Sequence, residues 1–97
     1  AVNLMAGVPA IVKPATLTCF LTEMMVREIV ESGILPEGSL QLICGSARKI
    51  IDEVETGDIV TFTGSASTGM MLKSNPRLIE KAVSFNMEAD SLNCSCY

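Results

Sequence analysis

The sequence predicts an α/β fold with a doubly wound parallel sheet, and two observations lead to this prediction. Four short apolar segments are separated by stretches in which apolar residues recur every three or four positions, as along one face of a helix. The first three segments hardly alternate between polar and apolar residues, which is typical of strands buried on both faces of a parallel sheet. We therefore expect about four strands with intervening helices.

The first strands and the longest helix follow directly from these patterns. The apolar segments that we predict to be strands are 9–12, 40–44, 59–62 and 82–85. Between the first two, the periodicity over 17–32 predicts a helix with a buried apolar stripe along one face. Thr16 or Thr18 is expected to cap its start, and Gly33 and Pro36 are expected to end it.

Two shorter helices are predicted farther along the chain. One covers 46–54, with Ser46 as its cap. The other covers 65–73 and is expected to end before Asn75-Pro76, because the residue before a proline disfavours helical geometry.

The opening "AVNLMAG" has the character of the tail of a further helix, and both ends of the sequence resemble cut ends. We therefore expect an excerpt from a longer protein. All of 1–97 is predicted to be part of one domain, with no second domain in the chain.

Composition excludes several classes of function. The net charge is −4 and the charged residues of both signs are interleaved, so no basic surface for nucleic acid and no polybasic patch for lipid is expected. No apolar run approaches the ~20 residues that span a bilayer. The chain has four cysteines, no CxxC pair and no histidine, which excludes a Cys/His zinc site, so no metal is expected. Reduced thiols in the cytoplasm are the expected state of these cysteines.

The stretch "IVTFTGSASTGMML" (59–72) predicts a strand, a turn and the start of a helix. Gly64 and Gly69 have the spacing of a P-loop, but Met70 stands where a P-loop has lysine, so nucleoside triphosphate hydrolysis is not expected. The stretch also lacks GxGxxG. What remains is a helix N-terminus at the end of a strand, which can hold a phosphate. The alternative is that Gly64 only shortens a turn and Ser65 only caps a helix.

Lys13 and Glu88 are each open to two interpretations. Lys13 ends a predicted strand, where ligands bind in open α/β sheets, but its side chain can equally extend into solvent. Glu88 follows the last apolar segment, 24 positions after Gly64, where an acidic residue can bind a ribose. It can alternatively act as a general base, or be an ordinary solvated or capping carboxylate.

Four segments taken in order resemble the cofactor-binding domain of the aldehyde dehydrogenase superfamily. They are "VKPAT", "ESGILPEGSLQLICG", "VTFTGSASTG" and "FNMEADSLN". The resemblance covers essentially the whole chain and implies a partial Rossmann-like fold, a dinucleotide cofactor and a homo-oligomeric full protein. It also implies the reaction of the superfamily, in which a cysteine thiolate attacks an aldehyde, hydride passes to the nicotinamide, and a glutamate activates the water that hydrolyses the thioester.

The resemblance assigns roles to individual residues. Glu88 falls at the superfamily's general base, although Ala89 and Asp90 stand where two glycines are usual. Lys13 falls at the lysine that bonds the adenosine ribose. Thr16 stands where NAD-preferring members of the superfamily have a glutamate. Without the negative charge of that glutamate, nothing at this position repels a 2′-phosphate, and the Thr16 hydroxyl can donate a hydrogen bond to it. The resemblance therefore implies that NADP is accepted and preferred, with NAD as an alternative.

Three further residues are assigned by the same resemblance, Gly45 beside the adenosine and Gly64 with Ser65 beside the pyrophosphate. The nucleophilic cysteine and the oxyanion-hole asparagine of the superfamily are expected outside this stretch, so the stretch alone is expected to be inactive. The alternative function is a non-catalytic nucleotide-binding module that keeps the fold without the chemistry. Cys94 and Cys96 lie too close to Glu88 to be that nucleophile and are expected to be packing residues. "MEADSLNC" further resembles dehydrogenases that act on CoA-linked semialdehydes in aerobic aromatic degradation, with the phenylacetate branch ranked ahead of the benzoyl-CoA branch.

Overall fold

A computed structural model of the chain describes residues 2–90. In order, its elements are α1 (Val2–Met5), β1 (Ala10–Val12), a 3₁₀ turn (Thr16–Thr18), α2 (Cys19–Glu31), β2 (Leu40–Leu42), α3 (Arg48–Ile51), β3 (Ile59–Gly64), α4 (Ala66–Lys73), α5 (Pro76–Glu80) and β4 (Ser84–Ala89). The chain forms two compact units, Ala1–Ala47 and Arg48–Tyr97.

The first unit is a parallel strand pair connected by a helix. β1 and β2 pair in parallel, from Ala10 opposite Leu40 to Val12 opposite Leu42. The Ile43 N–H donates to the Val12 carbonyl at 2.9 Å, so the hydrogen bonding continues one residue past β2. α2 connects the strands and packs against β2, as in a βαβ unit.

Helix α2 ends as the sequence predicts but begins differently. The turn after its last residue contains Gly33 with φ of 70°, a conformation that glycine adopts at little cost. At its start, Thr18 is the N-cap residue, and within the described part of the chain its side chain makes no cap hydrogen bond. The Thr18 hydroxyl instead donates to the Ala15 carbonyl at 3.5 Å.

The apolar stripe of α2 is not buried by the residues of its own unit. Its predicted members are all exposed, with Leu17 at 92%, Phe20 at 67% and Met25 at 60%. The less exposed positions of the helix are Cys19, Thr22, Glu23 and Val26. The half-buried positions lie on a different face of α2 from the stripe, so packing on the strand pair leaves the stripe uncovered in this unit.

The second unit contains a longer parallel pair and a small core. β3 and β4 pair in parallel from Ile59 opposite Ser84 to Gly64 opposite Ala89, and α4 packs against both strands. The residues that form the buried cluster and those that pack against it are Ile51, Val54, Leu78, Val83, Val60, Leu72 and Phe85. Residues from the loops and helices around the strands thus hold this unit together.

The helices of the second unit follow the predicted caps but not every predicted boundary. Ser65 caps α4, and the helix ends at Lys73, as predicted. Asn75-Pro76, predicted only to stop that helix, also starts α5, with Asn75 as N-cap and Pro76 in the first turn. Both residue types are favoured there, because asparagine accepts from a first-turn N–H and proline lacks the N–H that would be unpaired.

Two further boundaries differ from the sequence prediction. α3 is shorter than the predicted helix over 46–54, and it ends at Ile51. Beyond it, the Val54 carbonyl accepts from Arg77 Nε at 2.8 Å, a contact with α5. The last strand starts at Ser84 rather than at position 82, because Ala82 lies in a turn with φ of 51°.

The parallel α/β character is confirmed, whereas a single sheet of four strands remains a prediction. Burial along each strand alternates between half-buried and exposed residues, so the prediction of strands buried on both faces is wrong for each unit taken by itself. None of the helices in the described part of the chain is long and apolar enough to span a membrane.

Candidate functional site

Three predicted residues lie at the carboxyl edge of the β1–β2 sheet. Lys13 follows β1 directly, Thr16 begins the 3₁₀ turn, and Gly45 lies three positions after β2. Because the two strands are parallel and in register, their carboxyl ends share one edge, which is where ligands bind in open α/β sheets. All three residues are exposed.

The backbone and charge of this edge suit an anionic ligand. Gly45 has φ of 132°, a backbone conformation that residues with a Cβ strongly disfavour. This turn therefore requires a glycine. Within residues 2–90, the Lys13 ammonium has no ion-pair partner, which leaves it available to an external phosphate or hydroxyl. Thr16 adds a hydroxyl without negative charge.

The other three predicted residues lie at the carboxyl edge of the β3–β4 sheet. Gly64 is the last residue of β3, Ser65 follows as the cap of α4, and Glu88 lies in β4 opposite Thr63. The Asp90 N–H donates to the Gly64 carbonyl at 3.1 Å, which fixes the chain at the end of β4. Glu88 therefore lies inside the strand, one residue before its end, and not after it as the sequence analysis had it.

Hydroxyl groups surround the N-terminus of α4. Ser65 Oγ accepts from the Thr68 N–H at 3.3 Å and donates to Thr68 Oγ1 at 2.9 Å, and Ser67 Oγ lies 3.3 Å from Ser65 Oγ. The N–H groups of Ala66 and Ser67 are first-turn donors without a carbonyl partner in the helix. Donors of this kind, with the positive end of the helix dipole, fit a pyrophosphate. Ser67 and Thr68 were not among the predicted residues, although their place in the first turn after Ser65 makes them candidates as well.

Gly69 is a packing residue. A Cβ at this position would collide with the Met87 side chain, 3.0 Å from its Cγ, and would lie 3.2 Å from Phe62 Cδ1. Glycine thus allows α4 to lie directly on β3 and β4. The P-loop-like spacing of the two glycines is explained by helix packing on the sheet rather than by phosphate binding.

Gly64 has a related role. A Cβ there would lie 2.7 Å from Cζ of Phe62, so the Phe62 ring occupies the space beside the glycine. Gly64 is exposed and its φ is not positive, so a larger residue there would require the Phe62 ring to move and not a change of backbone conformation.

The two residues after Glu88 replace glycines of the superfamily pattern, and the structure accommodates both. Ala89 is the last residue of β4, with ordinary strand geometry. Asp90 has φ of 52°, a left-handed conformation that aspartate tolerates better than most residues. The Glu88 side chain is exposed in this chain. Cys94 and Cys96 lie outside the described residues.

The predicted residues thus form two sets, one in each unit. Lys13, Thr16 and Gly45 share one sheet edge, and Gly64, Ser65 and Glu88 share the other. Each set lies at the carboxyl end of parallel strands, the first with an exposed cation and the second with a helix N-terminus.

Comparison with known proteins bears on this arrangement. The model of the "Aldehyde dehydrogenase family" matches residues 1–94. The chain is 47% identical, over 90 residues or 93% of its length, to a 3,4-dehydroadipyl-CoA semialdehyde dehydrogenase of Aromatoleum evansii. It spans 18% of the length of that protein.

Two more distant relatives widen the comparison. The chain is 38% identical over 82 residues, 81% of its length, to a D-glyceraldehyde dehydrogenase (NADP(+)) of Picrophilus torridus and spans 15% of that protein. It is 34% identical over 87 residues, 87% of its length, to a succinate semialdehyde dehydrogenase of Acinetobacter baylyi and spans 18% of it. All three relatives are dehydrogenases of aldehydes, and the family model covers nearly the whole chain. The chain belongs to the aldehyde dehydrogenase family.

Proposed function

We propose that the chain is the NADP-binding portion of an aldehyde dehydrogenase that oxidises a CoA-linked semialdehyde to the carboxylic acid. The main support is the 47% identity to a relative that is named for a CoA-linked semialdehyde. We further assign the reaction to aerobic aromatic degradation, with phenylacetate as the first candidate and the related benzoyl-CoA route as the second, on the strength of "MEADSLNC". A cytoplasmic homo-oligomer remains our expectation for the full protein.

Each set of site residues holds one part of the dinucleotide in this proposal. Lys13, Thr16 and Gly45 bind the adenosine ribose, because they offer a cation, a hydroxyl and a close backbone approach at one edge. Gly64, Ser65 and the first turn of α4 bind the pyrophosphate through N–H and hydroxyl donors. When bound, the dinucleotide would supply its nicotinamide ring as the hydride acceptor.

Thr16 is the residue on which the NADP preference depends. Its exposed hydroxyl can donate to a 2′-phosphate, and the absence of a carboxylate removes the repulsion that a glutamate would exert. The similarity to an NADP(+)-named glyceraldehyde dehydrogenase supports this preference.

The test is Thr16→Glu in the full-length protein. We expect kcat/KM for NADP to fall about tenfold or more, since a repulsion of about 1.4 kcal/mol already changes a rate tenfold, while kcat/KM for NAD changes little. Thr18→Glu, two positions farther in the same 3₁₀ turn, is the matched control and should affect both cofactors weakly. An equal loss for both cofactors in Thr16→Glu would refute the assignment.

Glu88 is the proposed general base. Its carboxylate is exposed at the carboxyl end of β4, beside the helix N-terminus that we assign to the pyrophosphate, and a carboxylate so placed can take a proton from water. The hydrolysed thioester would be formed by a cysteine outside this chain.

Glu88→Gln separates the two roles left open for this residue. We expect the burst of hydride transfer to persist and thioester hydrolysis to slow by about 10²-fold or more. Glu80→Gln, on an exposed position of α5, is the control and should leave both steps unchanged. A change confined to the KM for the cofactor would mean that Glu88 binds ribose instead.

A further inference from the structure

The β3–β4 strand pair has two unlike faces. A Cβ on Gly69 of α4 would meet the side chains of Met87 and Phe62, so these two side chains lie on the face that α4 covers. Because the strands are parallel and in register, side chains alternate between the faces, and paired residues share a face. The opposite face therefore carries two exposed polar pairs, Thr61 with Asn86 and Thr63 with Glu88.

A polar face is unexpected in a sheet of this class. Strands of a doubly wound sheet are usually apolar on both faces, and the face under α4 follows this rule. On the opposite face, hydroxyl, amide and carboxylate groups occupy the half that leads to the carboxyl edge. Within residues 2–90, the side chains of these four residues form no hydrogen bond and no ion pair. Their polar groups are thus available to a molecule outside the strand pair.

The spacing on this face suits a single water molecule next to Glu88. Asn86 and Glu88 are two positions apart on β4, so their backbones lie about 6.5–7 Å apart, with both side chains on the same face. A water at about 2.8 Å from one oxygen of each side chain bridges such a gap. The amide oxygen of Asn86 only accepts hydrogen bonds, whereas a threonine hydroxyl can also donate into the lone pair with which a water attacks. Asn86 is therefore the best second acceptor in the row.

We propose that Asn86 is a further catalytic residue of thioester hydrolysis, which holds the attacking water together with Glu88. This inference rests on the role of general base proposed above for Glu88. One O–H of the water donates to the Glu88 carboxylate and the other to Asn86 Oδ1, which leaves a lone pair free to attack the acyl carbon. As the C–O bond forms, the first proton passes to Glu88. The C–S bond breaks, and the products are the carboxylic acid and a cysteine thiolate, whose charge balances the proton on Glu88.

The experiment uses full-length protein and 4-nitrophenyl acetate, an activated ester that acetylates a cysteine thiolate without aldehyde or cofactor. The extent of acetylation reports on the nucleophile. After rapid removal of the ester, loss of the acetyl group, followed by mass spectrometry, measures hydrolysis alone. Asn86→Leu has a similar size but no acceptor, and we expect it to be acetylated normally and to hydrolyse the thioester about tenfold more slowly or worse.

Two further variants make the result specific to the acceptor. Asn86→Asp restores an acceptor oxygen and should recover most of the rate. Its pH profile should be displaced upward, because a second negative charge on this face opposes ionisation of Glu88. Ser84→Ala, on the same face but four positions before Glu88, is the matched control and should leave acetylation and hydrolysis unchanged.

Glu88→Gln in the same assay separates this inference from the proposed function. If Glu88→Gln slows hydrolysis and Asn86→Leu does not, Asn86 holds no water and the general base stands. If Glu88→Gln leaves hydrolysis unchanged, the general base is refuted and the shared water with it. Acetylation that falls in proportion to hydrolysis in Asn86→Leu would show a structural role and overturn the inference. Failure of the wild-type protein to oxidise an aldehyde with NADP would refute the proposed function, while the ester assay would still report on Asn86.

Discussion

The two units of the chain share one motif but differ in what stabilises them. Each has two parallel strands and a helix packed on them. All four buried core residues, Ile51, Val54, Leu78 and Val83, belong to the second unit, whereas no residue described in the first unit is buried. The second unit buries apolar side chains within itself, and the first leaves the stripe of α2 open. A βαβ pattern therefore fixes topology without providing a core, which depends on the loops and extra helix around the strands.

The largest expected effect is the loss of Leu78, which is 4% exposed and belongs to the core of the second unit. We expect Leu78→Ala to lower the free energy of unfolding of the chain by about 2–4 kcal/mol, because it removes buried methyl groups and leaves a cavity. Chemical denaturation measures this. Ile79→Ala, at the neighbouring position with 75% exposure, is the control and should cost less than about 1 kcal/mol. Equal effects at the two positions would mean that the second unit has no functioning core.

Phe20 in the first unit provides the opposing case. Its side chain is 67% exposed, so Phe20→Ala in the isolated chain should cost less than about 1 kcal/mol, well below the loss for Leu78. A loss as large as that of Leu78→Ala would show that α2 buries its stripe in solution and would remove the contrast between the units.

The next effect tests how closely α4 lies on its sheet. Gly69→Ala should destabilise by about 1–3 kcal/mol, since the added methyl group meets Met87 and Phe62, even though alanine favours helices by about 1 kcal/mol over glycine. Met70→Ala, exposed on the same helix, should be nearly neutral. In the double variant Gly69→Ala with Met87→Ala, part of the loss from Gly69→Ala should disappear, because the smaller side chain makes room. If the losses from Gly69→Ala and Met87→Ala were strictly additive, α4 would not lie close enough to the sheet for the two side chains to meet.

Helix capping gives a smaller contrast between the units. Asn75 Oδ1 accepts from the Arg77 N–H at 2.9 Å, and its Nδ2 donates to Asp52 Oδ1 at 3.0 Å. Asn75→Ala should therefore cost about 1 kcal/mol. Thr18 is the equivalent cap of α2 but makes no cap bond within the described residues, so Thr18→Ala should cost less than about 0.5 kcal/mol. Chemical denaturation of both variants measures the two losses of stability. A larger loss for Thr18→Ala than for Asn75→Ala would contradict the expected order of the two caps.

The sequence predicted the elements whose signals are local. The Ser65 cap, the end of α2 at Gly33 and the general positions of the four strands follow from residue type and spacing. It missed α5, because Asn75-Pro76 ends one helix and starts another, and the same residues favour both. It overestimated α3, which ends at Ile51, and it missed the bond from Arg77 to the Val54 carbonyl, which spans 23 positions and which no local pattern reveals.

For the candidate site, the sequence likewise predicted the features that depend on the order of the elements and missed those that depend on contacts between distant residues. Placement near the carboxyl ends of parallel strands follows from the order of the elements, and the residues lie there in each unit, with Glu88 inside β4 rather than after it. Their roles stay predictions. The role of Gly69 was not predictable, because it depends on Met87 and Phe62 in two neighbouring strands. The influence of Cys19 on the pKa of Cys44 likewise acts between residues that are 25 positions apart and follows only once the parallel pairing is known.

The last contrast concerns reactivity rather than folding, and Cys44 of the first unit is its subject. Its raised pKa means that the thiolate forms only at higher pH than in an ordinary cysteine, so alkylation by iodoacetamide should be slow at neutral pH and should accelerate as the pH rises past 9.0, the ordinary value. Desolvation by neighbouring atoms raises the pKa of the Cys44 thiol most, and Cys19 and Glu23 raise it further, so removing either side chain lowers it. Cys19→Ala should therefore move the pH profile of alkylation downward, and Glu23→Gln should do so by less, since Cys19 is the stronger of the two causes. Glu31→Gln, at the far end of α2, should leave the profile unchanged. A profile that changes with neither Cys19→Ala nor Glu23→Gln would mean that neither side chain acts on the exposed Cys44 thiol in solution.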